Sequence, residues 1–171
     1  ILLVGLGTFW DNASSSMVSL AEHLGAPVLT TSKCKGAIIE DHPLRAGCII
    51  GGLIERELVS KSDLIVTIGL DAVELQPKGW PYPTKVLSLA SHPSLDGLVA
   101  CNEEVIGNLD SIMKILRTIV PKGNDWGYDA ARDFRASVHK ALDTPSTGLS
   151  PQHAVEIART ILPRDTIATC D

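Results

Sequence analysis

The sequence predicts an α/β protein, built as a doubly wound parallel sheet of about five or six strands with helices on both faces. Two observations lead to this prediction. Several short apolar runs show no alternation of polar and apolar residues, as strands buried on both faces require. Between these runs, apolar residues recur at helical spacing. Ligands of such sheets bind at the carboxyl ends of the strands.

The predicted strands begin at the first residue. Residues 1–4 (ILLV) form the first apolar run, and residues 27–31 (PVLTT) the second. Residues 63–68 (DLIVTI) and 85–89 (KVLSL) follow as the third and fourth, and Val99–Ala100 as part of a short fifth. These runs predict strands in the interior of a sheet.

Helices are predicted between the strands. The first helix is predicted because Met17, Leu20, Ala21 and Leu24 recur at helical spacing. Asn12 or Ser14 is its candidate N-cap, and Gly25 ends it. Residues 53–59 predict a short helix. A further helical face comprises Leu109, Ile112, Met113, Leu116 and Val120.

The composition changes near Pro121. Residues 121–127 predict a loop, and an amphipathic helix follows with Ala131, Phe134, Val138 and Leu142 on one face. After a polar linker at 143–149, Ser150–Pro151 has the pattern of a helix start, and that helix is expected to reach Leu162. Residues 166–169 (TIAT) predict a strand that is cut short.

Length and composition exclude several classes of function. A chain of 171 residues suits one domain with a short extension, and a net charge of −5 argues against a nucleic-acid partner. No apolar stretch is long enough to span a membrane. The four cysteines form no CxxC pair, so we expect no structural zinc site, and reduced thiols indicate a cytoplasmic protein. Because both ends lie in apolar runs, we expect a fragment of a larger protein.

Two loops carry candidate ligand-binding residues. Gly5 and Gly7 follow the first strand, where glycines permit close approach of a diphosphate, although Trp10 replaces the third glycine of the dinucleotide pattern. The alternative is a tight turn between strand and helix. Gly69 closes the third strand and is followed by Asp71 and Glu74, which either bind a ribose or a metal or cap the next helix.

No catalytic constellation is visible. Glu40, Asp41 and His42 can serve either in acid–base chemistry or as a turn before Pro43. Lys33 and Lys35 flank Cys34, and two such charges could lower the pKa of its thiol, although nothing else in the sequence indicates a reactive cysteine. The residues alone therefore predict a nucleotide-binding-like domain without catalytic machinery.

Segment 27–47 (PVLTTSKCKGAIIEDHPLRAG) resembles the central domain of thiamine-diphosphate-dependent enzymes such as acetolactate synthase, benzoylformate decarboxylase and pyruvate oxidase. The matching residues are Thr30, Thr31, Lys35, Gly36, Glu40, His42, Pro43, Leu44 and Gly47. Residues 62–71 and 107–116 resemble a later strand and the last helix of that domain, and residues 149–171 resemble the opening of the diphosphate-binding domain.

The resemblance implies a non-catalytic, Rossmann-like central domain at 1–120, a helical linker at 121–148, and the start of the thiamine-diphosphate-binding domain at 149–171. The parent would be a lyase or transferase that acts on 2-keto acids with thiamine diphosphate and Mg²⁺. In this family the catalytic Glu and the magnesium motif lie in the two other domains. We therefore expect the chain alone to be inactive and to bind neither cofactor. Its partners would be the other domains, in a homodimer or homotetramer.

Some relatives of this family bind FAD or ADP in the central domain, and the matching positions are Gly5, Gly7, Thr30, Thr31, Gly69 and Asp71. The chain departs from the flavin-binding pattern at three places. The loop after the third strand lacks Arg, the next strand ends in Ala90–Ser91 where these relatives have an acid, and Asn108 stands in place of Asp. A vestigial site is therefore the preferred reading. The alternatives are a genuine FAD, ADP or NAD module with a regulatory or redox role, and a small standalone α/β enzyme.

Overall fold

The computed structural model describes residues 1–49, 54–75, 80–93, 101–143 and 148–168. Its strands are β1 (Leu2–Val4), β2 (Val28–Thr30), β3 (Arg45–Cys48), β4 (Leu64–Ile68), β5 (Lys85–Ala90) and β6 (Glu103–Ile106). Its α-helices are α1 (Gly7–Trp10), α2 (Ser14–Leu24), α3 (Ile54–Ser60), α4 (Leu109–Ile119), α5 (Trp126–Leu142) and α6 (Pro151–Ile161). Two 3₁₀ turns, Ser32–Cys34 and Ala72–Glu74, follow β2 and β4.

The strands form one parallel sheet in the order β3-β2-β1-β4-β5-β6. This confirms the predicted doubly wound α/β fold. β1 lies in the interior because it pairs with β2 on one side and β4 on the other. The strand order reverses between β1 and β4, and in open α/β sheets this switch point is where ligands bind.

Both faces of the sheet are covered. Leu2, Val4 and Ile68 belong to a core that also contains Met17 of α2 and Met113 of α4. Leu3, Leu29 and Ile65, which alternate with these residues along their strands, are also fully buried. The apolar runs therefore have no solvent-facing side, which explains why they lack alternation.

The structure adds two strands that the sequence did not reveal. β3 contains Arg45 and Gly47, and β6 begins with two glutamates, so neither is an apolar run. Among the described strands, both are at the edges of the sheet and pair on one side, which removes the need for burial on both faces. The predicted short strand at Val99–Ala100 lies outside the described residues.

The predicted cap of the first helix was wrong. Ala13 is the N-cap of α2, and no side chain accepts a hydrogen bond there. Asn12 instead adopts a positive φ of 51° at the break between α1 and α2, a conformation that Asn tolerates better than most residues. Gly25 ends α2 with a φ of 57°, as predicted.

The chain divides into two compact units, Ile1–Arg135 and Ala136–Asp171. In the first unit, Phe134 of α5 is buried, and a methyl group at Gly47 would come 3.6 Å from its ring. Arg135 donates hydrogen bonds to the carbonyls of Pro43 (3.2 Å) and Arg45. Phe134 and Arg135 of α5 therefore pack against β3 and the residues just before it.

In the second unit, Ser150 caps α6 by accepting a hydrogen bond from the amide of His153, at 3.2 Å, as the sequence predicted. Residues 166–168 form no strand, contrary to the prediction, and residues 169–171 lie outside the described part. The exposed apolar side chains of this unit include Leu149, Val155, Ile157, Ile161 and Leu162. Across the described residues, no helix has the length and apolar character needed to cross a membrane.

Candidate functional site

The carboxyl ends of β1, β2 and β4 meet at the switch point of the sheet. Because Val4 is in register with Thr30 and with Ile68, the residues that follow them lie side by side. The amide of Gly7 donates to the carbonyl of Gly69 at 2.9 Å. The sequence-predicted residues Gly5, Gly7, Thr30, Thr31, Gly69 and Asp71 therefore belong to neighbouring strand ends.

Contact between two loops accounts for the three glycines. A Cβ atom at Gly5 would come 2.5 Å from the carbonyl oxygen of Gly69, and one at Gly7 would come 2.9 Å from the Gly69 Cα. Gly69 itself has a φ of +57°. The loops after β1 and β4 can approach each other only without side chains at these positions. This is the tight-turn alternative, and it requires no ligand.

Glu74 fills the space between these loops. Its Oε1 and Oε2 each accept from the amide of Leu6 at 3.0 Å, and Oε2 also accepts from the amide of Asp71 at 3.0 Å. The Thr31 hydroxyl donates to Oε1 at 2.6 Å. Glu74 thus joins the loops after β1, β2 and β4. From the sequence, Glu74 was only a carboxylate after a strand, because two of its donors, Leu6 and Thr31, are 68 and 43 residues away.

Asp71 and Thr30 have separate roles. Asp71 Oδ1 accepts from the amide of Val73 at 3.1 Å, so this carboxylate caps the 3₁₀ turn Ala72–Glu74. Thr30 is buried, and its hydroxyl lies 3.9 Å from the sulfur of Cys48 on β3. Of the predicted polar residues, it is Thr31 whose side chain reaches the carboxylate of Glu74.

The expectation of a lowered pKa for Cys34 was wrong. Burial, assisted by the negative charge of Glu74, raises the pKa of the Cys34 thiol to about 12. Lys33 and Lys35 are exposed, whereas Cys34 is fully buried and donates to the carbonyl of Gly5 at 3.1 Å. The two lysine side chains lie in solvent and the thiol lies in the core, so the lysines do not lower the pKa of this thiol.

The helix after the glycine turn is too short to support a diphosphate. α1 has four residues and breaks at Asn12 before α2 begins at Ser14. Trp10, which replaces the third glycine of the dinucleotide pattern, is 66% exposed. A long helix starting at the turn, whose dipole would favour negative charge, is therefore absent from this described segment.

Ser91 and Asn108 stand where the resemblance places acids in flavin-binding relatives, and both side chains form hydrogen bonds within the domain. Ser91, at the end of β5, donates to Asp11 Oδ2 at 2.6 Å, and the amide of Leu109 donates to the same oxygen at 2.9 Å. These contacts, with Leu109 the larger cause, lower the pKa of Asp11. Asn108 caps α4 by accepting from the amide of Ser111 at 3.0 Å. Asp11 was not singled out from the sequence, since its partners come from distant segments.

The acid–His cluster forms a turn. His42 donates its amide to the carbonyl of Ile39 at 3.1 Å, and its Nδ1 accepts from the amide of Leu44 at 3.2 Å. Glu40 pairs with Arg45 at 3.0 Å. In the described part of the chain, no group of three or more His, Cys, Asp or Glu is arranged to hold a metal ion.

The chain is similar to known proteins, and most of its length matches one family. Residues 1–116 match the family described as thiamine pyrophosphate enzyme, central domain. A protein of Methanococcus aeolicus described as an acetolactate synthase large subunit is 29% identical over 120 residues, covering 67% of this chain and 20% of that protein. A protein of Methanocaldococcus jannaschii with the same description is 27% identical over 122 residues, covering 68% and 21%. The chain thus spans about a fifth of the length of these curated relatives.

Solved structures show the same relationship. A thiamin diphosphate-dependent enzyme isolated from Mycobacterium smegmatis matches with a TM-score of 0.61 and 26% identity, over 72% of this chain and 25% of its own. Benzoylformate decarboxylase from Polynucleobacter necessarius matches with a TM-score of 0.73 and 18% identity, over 98% and 32%, which shows a shared fold. The chain belongs to the central-domain family of thiamine-pyrophosphate enzymes.

Proposed function

We propose that this chain is the non-catalytic central domain of a thiamine-diphosphate- and Mg²⁺-dependent enzyme that acts on 2-keto acids, as a carboligase or decarboxylase of the acetolactate synthase type. The match of residues 1–116 to the central-domain family carries this proposal. Within the parent, residues 1–120 would be the central domain, 121–148 a helical linker, and 149–171 the start of the thiamine-diphosphate-binding domain. We place the parent in the cytoplasm, as a homodimer or homotetramer.

The described residues of this chain do not fit thiamine diphosphate. A diphosphate held through Mg²⁺ needs several oxygen ligands around the metal, and no three His, Cys, Asp or Glu side chains of the described residues are grouped to hold a metal ion. At the switch point, the carboxylate of Glu74 accepts hydrogen bonds from Leu6, Thr31 and Asp71, and its negative charge would repel a second anion. When bound in the parent, the cofactor supplies the carbanion stabilisation needed for keto-acid chemistry. The contribution of this chain is structural, since its strand-end loops are held together by internal contacts.

An activity assay tests the proposal. The purified 171-residue chain, supplied with thiamine diphosphate, Mg²⁺ and pyruvate or benzoylformate, is expected to release no CO₂ and to form no ligation product. Turnover by this chain would overturn the proposed non-catalytic role. A second measurement is the coding sequence on either side of the chain, which should encode a Gly-Asp-Gly…Asn magnesium motif downstream. A different domain at that place would remove the support for the parent enzyme.

A genuine nucleotide-binding module is the alternative. Gly5, Gly7 and Gly69 lie at the switch point as that function requires, but contact between loops already explains them. Absorbance of the purified protein in the visible bands of oxidised flavin tests the FAD form of this alternative. We expect no flavin band, and a stoichiometric one would favour the alternative.

A further inference from the structure

The carboxylate of Glu74 sits where an open α/β sheet places its ligand. Its two oxygens accept from the amides of Leu6 and Asp71 and from the hydroxyl of Thr31. These donors come from three loops at the switch point between β1 and β4. Backbone amides that converge on an oxyanion beside a glycine turn are the arrangement with which proteins bind phosphate.

We propose that Glu74 is the built-in occupant of this anion position: its carboxylate takes the place of a phosphate group, closes the domain to FAD, ADP and NAD, and holds the three loops together without a ligand. This inference rests on the geometry of the strand ends and not on the reaction of the parent enzyme.

The space that Gly5 leaves is filled from inside the protein. A Cβ atom at Gly5 would come 2.5 Å from Glu74 Oε2. In dinucleotide-binding folds, a glycine at this place lets the backbone approach the pyrophosphate. Here the same close approach brings the backbone to a carboxylate, so an incoming diphosphate would meet both a filled volume and a like charge.

Hydrogen bonds of the 3₁₀ turn and of the carboxylate keep Glu74 in this position. The amide of Glu74 donates to the carbonyl of Asp71 at 3.0 Å, and Asp71 Oδ1 accepts from Val73 at 3.1 Å. The backbone of the 3₁₀ turn is thereby fixed, while the carboxylate is fixed by Leu6 and Thr31. For the site to open, the carboxylate would have to leave the amides of Leu6 and Asp71 and the hydroxyl of Thr31. A nucleotide therefore competes with several intramolecular contacts.

The first test is nucleotide binding by the unmodified 171-residue chain. Titration calorimetry with ADP, and separately with FAD, is expected to show no binding up to about 1 mM. A dissociation constant below about 1 mM for either nucleotide would overturn the proposal. This measurement needs no variant, and its result is independent of the assay with 2-keto acids.

The second test is chemical rescue of Glu74→Ala, with Glu57→Ala as the matched control because Glu57 is exposed and pairs with Lys61. Glu74→Ala should lower the Tm by about 5–10 °C, and Glu57→Ala by no more than about 2 °C. Acetate supplies a carboxylate that can occupy the vacated position. At ten times its dissociation constant, it should raise the Tm of Glu74→Ala by about 3–6 °C.

The controls separate occupancy from other effects. Acetate should not raise the Tm of the unmodified chain or of Glu57→Ala, and chloride at the same ionic strength should rescue neither variant. Equal Tm values for the two variants, or equal effects of acetate and chloride on Glu74→Ala, would refute the proposal. If Glu74→Ala does not fold, Glu74→Gln decides, because its amide keeps the shape and removes the charge. We expect it to fold with a lowered Tm and no response to acetate, and an unchanged Tm would overturn the proposal.

Discussion

Replacing Thr31 with Val tests the contact between β2 and Glu74. The hydroxyl of this fully buried residue donates to Glu74 Oε1 at 2.6 Å and accepts from the amide of Cys34 at 3.2 Å. Val has nearly the same shape and is also β-branched, so the change removes two hydrogen bonds while leaving the volume almost unchanged. Its effect on stability therefore reports on the hydroxyl.

The expected loss follows from the two bonds. A hydrogen bond to a charged acceptor contributes about 1.5–3 kcal/mol, and a neutral one about 0.5–1.5 kcal/mol. The apolar methyl group that replaces the hydroxyl offsets part of this, so we expect Thr31→Val to lower the free energy of unfolding by about 2–4 kcal/mol. For a chain of this length, the Tm should fall by about 4–16 °C.

Urea unfolding followed by circular dichroism measures this change. Thr118→Val on α4 is the matched control, since its exposed hydroxyl donates to the carbonyl of Ile115, one turn earlier in the same helix, at 2.7 Å. The control should stay within about 0.5 kcal/mol of the unmodified chain. Combining Thr31→Val with Glu74→Gln should give a loss smaller than the sum of the two single losses, because both remove the same contact. A Thr31→Val value as small as that of the control would refute the assigned role of this hydroxyl.

Three further predictions concern charge, reactivity and association. Because the folded protein lowers the pKa of Asp11, this carboxylate contributes stability above its unfolded pKa of about 4, and the contribution is lost as the pH falls through the folded value. Urea unfolding of Asp11→Asn should therefore show a deficit at pH 7 that shrinks toward pH 3, and a deficit independent of pH would contradict this. Cys34, with its pKa raised to about 12, should react with iodoacetamide at pH 8 at least about 100-fold more slowly than the exposed Cys101, as measured by peptide mapping, and equal labelling would contradict its burial. The apolar side chains exposed on α6 should cause the chain to self-associate in sedimentation velocity, and deletion of residues 145–171 should abolish this. If the full chain is monomeric and residues 145–171 are readily digested by a protease, the predicted self-association through α6 is wrong.

The interior strands of the sheet could be predicted from the sequence, and the two edge strands could not. β1, β2, β4 and β5 were predictable because strands buried on both faces need continuous apolar runs. β3 and β6 were missed because an edge strand pairs on one side and tolerates glycine and charge. The start of α6 followed local chemistry, because the Ser150 side chain caps it, whereas α2 begins at Ala13 without a side-chain cap, directly after the positive φ of Asn12.

The same distinction applies to the candidate site. Gly5, Gly7 and Gly69 stand out in the sequence because glycine at the end of a strand is a local signal. The reason that all three are glycines is the close approach of the loops after β1 and β4, and this approach exists only when the two strands pair. Cys34 shows the opposite case, because its neighbours in the chain suggest a lowered thiol pKa, whereas burial and the charge of Glu74 raise that pKa.

By itself, the sequence determined the fold class, the family resemblance and the positions of the glycine turns, since each depends on residue types at short and regular spacing. The tertiary structure decided what lies between those turns. Glu74 receives its donors from Leu6, Thr31 and Asp71, and two of these are 68 and 43 residues away along the chain. Contacts over such separations depend on the strand order and register of the sheet, which a local pattern does not encode.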